Sequence, residues 1–195
     1  MLRPLVGRLA GAGVTANQVT VAAAAGSVLI GLTVAAAVDH KAVFLLLPVW
    51  LALRMALNAI DGMLAREFGQ QSKLGAYLNE LGDMVSDAAL YAPFALLPVF
   101  GMSATFLVIL LALLTECAGI LGPPIGASRR YDGPLGKSDR ALLAGALGAW
   151  IGIGGALPGW LGHVMTLAAV LLAATIVNRV RAGLREAAIP LPPGR

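Results

Sequence analysis

Apolar residues run along this chain in long blocks separated by short polar groups; strict alternation is absent. Six blocks are each long enough, at about 18–25 residues, to cross a hydrocarbon core of about 30 Å as a helix. The pattern predicts spans over 17–38, 42–66, 74–99, 104–122, 139–157 and 162–185. Ahead of them, Leu2, Leu5, Val6 and Leu9 alternate with Arg3 and Arg8 within 1–14, a spacing suited to a short interfacial helix. The stretch "VTANQVT" then sets Thr15 and Gln18 at capping-box spacing, which predicts a helix start. Pro123 and Pro124 stop the fourth block, because proline lacks a donor and blocks continuation. "PGWLGH" reads as a turn, and 186–195 as a disordered tail. The expected fold class is therefore all-α: an integral membrane bundle of six transmembrane helices with an N-terminal interfacial helix, one domain over 1–195.

Composition agrees. The 195 residues are 58% hydrophobic and only 12% charged, and the mean hydropathy is +0.83. Soluble domains are usually near a quarter charged. The first apolar run is longer than a signal-peptide core and more spans follow it, so it is expected to be retained. A single cysteine, Cys117, excludes a disulfide framework. The net charge of +4 does not point to nucleic acid. The basic residues gather at alternate block ends: Arg3, Arg8, Arg66, Lys73, Arg129, Arg130, Lys137, Arg140, Arg179, Arg181, Arg185 and Arg195 on one side, Lys41 on the other. That bias predicts both termini on the cytoplasmic side of a membrane. Small residues in "GSVLIG" and "GALGAWIGIGG" predict close helix packing.

The acidic stretch "NAIDGMLAREFGQQSKLGAYLNELGDMVSD" interrupts this picture. Asn58, Asp61 and Ala65 share one face of the second span by their spacing of three and four. Asn79, Asp83 and Asp87, each four apart, share one face of the third. The short loop between the spans predicts antiparallel neighbours that present matched polar rungs. At about 1.5 Å per residue, Asp61 and Asn79 lie shallowest, Asn58 and Asp83 deeper, Arg54 and Asp87 deepest. A lone charge at such depth costs at least about 2.5–3.5 kcal/mol. Converging oxygen ligands at one membrane face suggest a hard divalent cation, Mg²⁺ or Mn²⁺. Interhelical ion pairs are the competing explanation, above all an Arg54–Asp87 pair. Glu116 is expected to line the site or to pair with Arg54.

The same stretch resembles the signature of the CDP-alcohol phosphotransferase family, Asp-x-x-Asp-Gly-x-x-Ala-Arg, eight residues, then Gly-x-x-x-Asp-x-x-x-Asp. Asp61, Gly62, Ala65, Arg66, Gly75 and Asp83 match it, and "VTANQVT" is similar to the family's Thr-Pro-Asn-x-x-Thr, with Ala16 in place of proline. The resemblance implies a homodimeric membrane enzyme that takes CDP-diacylglycerol and an alcohol acceptor, releases CMP and forms a phospholipid among membrane lipids. It implies metal ligands at Asn58, Asp61 and Asn79, a general base at Asp83, and nucleotide or phosphate contacts at Gly62, Ala65, Arg66 and Gly75. Lys137, in a Gly-Lys element similar to one common in the family, joins the phosphate-binding set. Two family aspartates are here Asn58 and Asn79, so the expected metal shell is Asn58, Asp61, Asn79 and Asp83, and the number of ions stays open between one and two. Asp83 and Asp87 are the candidate catalytic carboxylates. Transfer of a CDP-linked head group to a lipid alcohol, and non-catalytic binding of a nucleotide lipid, are the alternatives. The acceptor alcohol is not specified.

Overall fold

The computed structural model describes residues 2–188, and these are helical without strands. The remaining tail, 189–195, lies outside the described residues. Helix α1 (Arg3–Gly11) leads to α2 (Ala16–Ala36), α3 (Leu46–Glu67), α4 (Lys73–Tyr91), α5 (Met102–Ile120), α6 (Lys137–Gly152) and α7 (Gly162–Ala187). The N-terminus of α2 forms as its sequence predicts. Thr15 Oγ1 accepts from the Gln18 amide at 3.2 Å, and Gln18 Oε1 accepts from the Thr15 amide at 2.9 Å.

Two helices depart from expectation at their ends. The third apolar block does not stay α-helical to residue 99. Helix α4 stops at Tyr91 and Ala92–Leu96 winds on as a tighter turn, because Pro93 removes a helical donor and crowds the preceding turn. Helix α6 starts earlier and stops earlier than predicted. Asp139 folds back to accept the Gly136 amide at 2.9 Å and opens the helix at Lys137. At the other end Gly154 takes a left-handed φ of 83° and turns the chain out of the helix.

Four segments are long and apolar enough to cross a membrane: Ala16–Ala36, Lys41–Glu67, Met102–Ile120 and Gly159–Ala187. Helix α4 carries Glu80, Asp83 and Asp87, and α6 has 16 residues, so length and composition do not mark these two as spans. Large apolar side chains cover much of the outer surface, for example Leu29, Val49, Leu142 and Val170. In water this would be an aggregation hazard; against lipid tails it has no such cost.

The helices α3 and α4 do not lie side by side as their short loop predicts. Helix α2 packs against both of them, while α3 also packs on α6 and α4 on α5. Gly31 makes the α2–α4 approach possible, since a Cβ there would collide with the Ala89 carbonyl. Gly26 receives the Trp50 ring in the same way, and Trp50 Nε1 donates to Ser27 Oγ at 2.9 Å. With α2 packed against both, α3 and α4 meet through Arg54, which reaches Asp83 and Asp87, and the rest of their polar faces border cavities. At the far end of the bundle Phe44, Phe94 and Phe100 form a closed aromatic cluster, with centroid separations of 5.8 and 5.6 Å. Helix α1 caps the other end, where Val6 packs with Ile60 and Leu64.

Gly31→Ala is therefore expected to destabilise the bundle by about 1–3 kcal/mol, the usual cost of overpacking. Gly7→Ala meets nothing within 4 Å and is expected to be neutral or slightly stabilising. Thermal melting in detergent checks both; equal melting temperatures for the two variants would refute the close α2–α4 contact.

Candidate functional site

Two adjoining cavities occupy the space between the polar faces of α3 and α4. The first, about 730 Å³, is walled by Asp61, Gly62, Ala65 and Arg66 from α3 and by Gly75 and Asn79 from α4. The second, about 470 Å³, holds Asn58, Asn79, Asp83 and Glu116, with Lys137 and Arg179 opposite. Asn79 borders both. Every site residue expected from the sequence thus faces one cavity or the other, except Asp87.

In the first cavity, Asp61 is buried and Thr20 Oγ1 donates to its Oδ2 at 2.7 Å. The wall at Gly75 is backbone because nothing larger fits: a Cβ there would stand 2.7 Å from Asn17 Oδ1 and 3.0 Å from Ser72 Oγ. Ser72 caps α4 by accepting the Gly75 amide at 2.9 Å. Gln70 Oε1 accepts from the Ala16 amide at 2.7 Å and fixes the loop to the start of α2. Arg66 and Lys73 make no ion pair among the described residues and stand exposed at the cavity rim.

The second cavity has a different character, because its charges are engaged. Arg54 donates to Asp83 Oδ1 at 2.9 Å, and Lys137 pairs with the other oxygen, Oδ2. Arg129 donates to Glu80 Oε2 at 2.9 Å and stacks over the Tyr131 ring at 5.1 Å. Beneath the cavity runs a continuous ionic chain. Arg54 donates to Asp87 Oδ1 at 2.7 Å, and Arg140 donates to Asp87 Oδ2 at 2.9 Å and to Glu116 Oε1 at 2.8 Å. Arg179 stands 3.7 Å from Glu116. Asp87 is only 4% exposed and lines neither cavity. Of its two candidate roles, the pair with Arg54 is the one seen. Glu116 does line the site, but its partners are Arg140, Arg129 and Arg179, not Arg54.

Outside the helices, Arg130 forks onto both oxygens of Asp132 at 2.8 and 3.0 Å and also pairs with Glu186. Hydrogen bonding from the Arg130 guanidinium holds the Asp132 carboxyl below the usual carboxylate range. This loop clamps the ends of α5 and α7 together beside the second cavity.

Among the described residues no three His, Cys, Asp or Glu side chains cluster as a metal site. The donors that face the cavities are nevertheless hard oxygens. Asp61 supplies a carboxylate, and the Asn58 and Asn79 amides make no hydrogen bond to other described residues, so their carbonyls are unengaged. That set fits a hard divalent cation. Asp83 differs from it, since both its oxygens already meet cations.

A third cavity, about 260 Å³, extends from the second between α3 and α6, past Asn58, Lys137 and Ser138 to Leu51, Met55 and Ala141. The chain thus combines a polar chamber between α3 and α4 with a side cavity walled in part by aliphatic residues. Its family follows: residues 13–175 match the model of the CDP-alcohol phosphatidyltransferase family, and the chain belongs to that family. It is similar to the inner membrane protein YnbA of Escherichia coli (strain K12), with 47% identity over 181 residues that cover 93% of this chain and 90% of that protein. The fold is shared with the phosphatidylinositol phosphate synthase PgsA1 of Mycobacterium tuberculosis. Its crystal structure with CDP-DAG bound superposes with a TM-score of 0.77 at 22% identity, covering 97% of each chain. The structure of its complex with manganese and citrate gives 0.78 at 20% identity, covering 98% of this chain and 94% of that one.

Thr20, Gln70, Arg129 and Arg140 were not singled out for these roles by sequence. Thr20 is the second threonine of the "VTANQVT" stretch, which by itself does not indicate a bond to Asp61. Arg140 was counted among the anchoring cations of a loop, yet it is 3% exposed.

The ionic chain predicts a large stability effect. Arg54→Ala leaves Asp83 and Asp87 short of a partner and is expected to destabilise by about 3–5 kcal/mol. Arg66→Ala, which breaks no pair, is expected to stay within about 0.5 kcal/mol of the parent. Matching melting curves for the two variants would refute the chain as a structural element.

Proposed function

We propose that the chain transfers the phosphatidyl group of CDP-diacylglycerol to an alcohol, releasing CMP, at the cytoplasmic face of a bacterial inner membrane. The observation that carries this reading is the pair of adjoining cavities that share Asn79, one with unpaired cations for an anionic donor and one holding Asp83 for the acceptor. Six membrane spans, with α4 and α6 completing the four apolar ones, and cytoplasmic termini follow from the basic residues gathered at this end. The inner-membrane relative supports that placement.

The donor's CMP and pyrophosphate occupy the first cavity. Gly62, Ala65 and Gly75 let the backbone come close to them, and Arg66 offers a planar fork to phosphate oxygens. The diacylglycerol leaves sideways through the opening between α3 and α6. Asn58, Asp61 and Asn79 would hold the divalent cation, Mg²⁺ or Mn²⁺, with one ion more consistent than two with a single free carboxylate. When bound, such an ion neutralises pyrophosphate charge as the bond to CMP breaks.

In the second cavity the acceptor hydroxyl gives its proton to Asp83. Its oxygen bonds to the phosphorus that carries diacylglycerol, and the bridging oxygen leaves with CMP. Arg54 orients the Asp83 carboxylate. Lys137 is placed to follow the charge onto the transferring phosphate. Asp87 acts only through Arg54 and is a positioning residue.

Asp83→Asn is expected to lower CMP release by about 10²–10⁴-fold, the usual weight of a general base, while CDP-diacylglycerol binding persists. Near-normal release from this variant would refute the role. Restoring charge at both asparagines, Asn58→Asp with Asn79→Asp, is expected to raise Mn²⁺ affinity in the absence of nucleotide, because hard-cation affinity rises with ligand charge. Calorimetry reads this directly, and unchanged affinity would remove both residues from the metal shell.

A further inference from the structure

We infer that the acceptor is an uncharged polyol, not a phosphate ester, an amino acid or another ionic alcohol; this rests on the phosphatidyl-transfer reading above. The inference comes from how the second cavity balances its charges. Three cations line it, Arg129, Lys137 and Arg179, and three carboxylates, Asp83, Glu116 and Asp139. Each cation is already engaged. Lys137 pairs with Asp83, Arg129 with Glu80, and Arg179 with Glu116 at 3.7 Å while donating to the Thr115 carbonyl. Asp139 is occupied too, by the Gly136 amide.

A phosphate ester entering here would have to take a cation from its carboxylate and leave that carboxylate unpaired in a half-buried wall. It would also stand among three like charges, an arrangement that costs binding free energy and discriminates against the wrong partner. The first cavity shows the opposite design. Arg66 and Lys73 line it without ion-pair partners among the described residues, which suits an anionic donor. One molecule thus holds free cations where the pyrophosphate belongs and neutralised ones where the alcohol belongs.

What the second cavity does offer is hydrogen bonding of both senses. The amides of Asn58 and Asn79 and the hydroxyls of Tyr131 and Ser138 donate and accept, and the paired carboxylates retain lone pairs for hydroxyl donors. A polyol uses all of these without disturbing an ion pair.

The test uses the purified full chain with Mn²⁺ and labelled CDP-diacylglycerol, scoring CMP release with glycerol, myo-inositol, glycerol 3-phosphate, inositol 1-phosphate and serine. The free polyols are expected to exceed their phosphate esters and serine by at least about tenfold in kcat/KM. A donor-induced rise in melting temperature is measured in parallel. If the donor binds but a phosphate ester or serine is preferred, or no polyol reacts, the polyol assignment is overturned while the transfer reading stands. If the donor neither binds nor releases CMP with any alcohol, both fall. Glu80→Gln leaves Arg129 only its longer 3.8 Å approach to Glu116 and is expected to narrow the preference for glycerol over glycerol 3-phosphate several-fold. An unchanged ratio in a variant that still binds donor would overturn charge pairing as the source of selectivity.

Discussion

The ionic chain from Arg54 through Asp87 and Arg140 to Glu116 joins α3, α4, α6 and α5, and the rest of the bundle is arranged around it. Lipid tails are as apolar as leucine, so burying aliphatic surface gives helices little reason to choose one register over another. Small residues such as Gly31 and Gly148 permit close approach, but they do not fix rotation or depth. Buried charges do. Each must find its partner within hydrogen-bond reach or bear a large desolvation cost. A shift of α4 by one turn would part Asp87 from both arginines at once. The polar residues that look expensive in the sequence therefore set the geometry of the site above them, and Arg54 passes that geometry on by holding Asp83.

The helices were legible because lipid leaves a coarse signal. Apolar length marks the helical blocks and Thr15 marks the start of α2, whereas Pro93 and Gly154 end helices inside the predicted third and fifth spans. What misled was the loop between α3 and α4. Short loops usually join neighbours, and the matched rungs of Asn58, Asp61, Asn79 and Asp83 suggested direct contact. Sequence order could not show that α2, an earlier helix with Gly31 on its inner face, enters between them. The rungs match in depth as expected, yet they border cavities.

The site divided along similar lines. Residues that match the family signature, Asp61, Gly62, Ala65, Arg66, Gly75 and Asp83, line the cavities as a group. Residues that join the site from distant segments were harder to see. Arg140 and Arg179 read as cytoplasmic anchors, since an arginine near a span end normally meets lipid head groups. Their burial depends on Glu116, which lies in another helix and has no sequence pattern tying it to them. Thr20 was legible in principle, because it falls one turn beyond the cap of α2, on the helix that faces Asp61.

The two asparagines make sense as part of the same charge accounting. Arg54 and Lys137 already meet the negative charge of Asp83, so this side of the site is neutral without any ion. Aspartates at 58 and 79 would each add a carboxylate beside the second cavity, whose lining cations are already paired. Such a site would be costly whenever metal is absent, because like charges would face one another in a partly dehydrated space. Amide oxygens keep hard ligands in the same places and remove that cost. The consequence is a division of labour between protein and substrate. On the proposed reading, the protein would contribute Asp61 and neutral oxygens and the donor's pyrophosphate the remaining negative charge, so that cation binding and donor binding would become one event. Arg66 and Lys73, which make no ion pair among the described residues at the rim of the first cavity, would then draw in the anion that completes the shell.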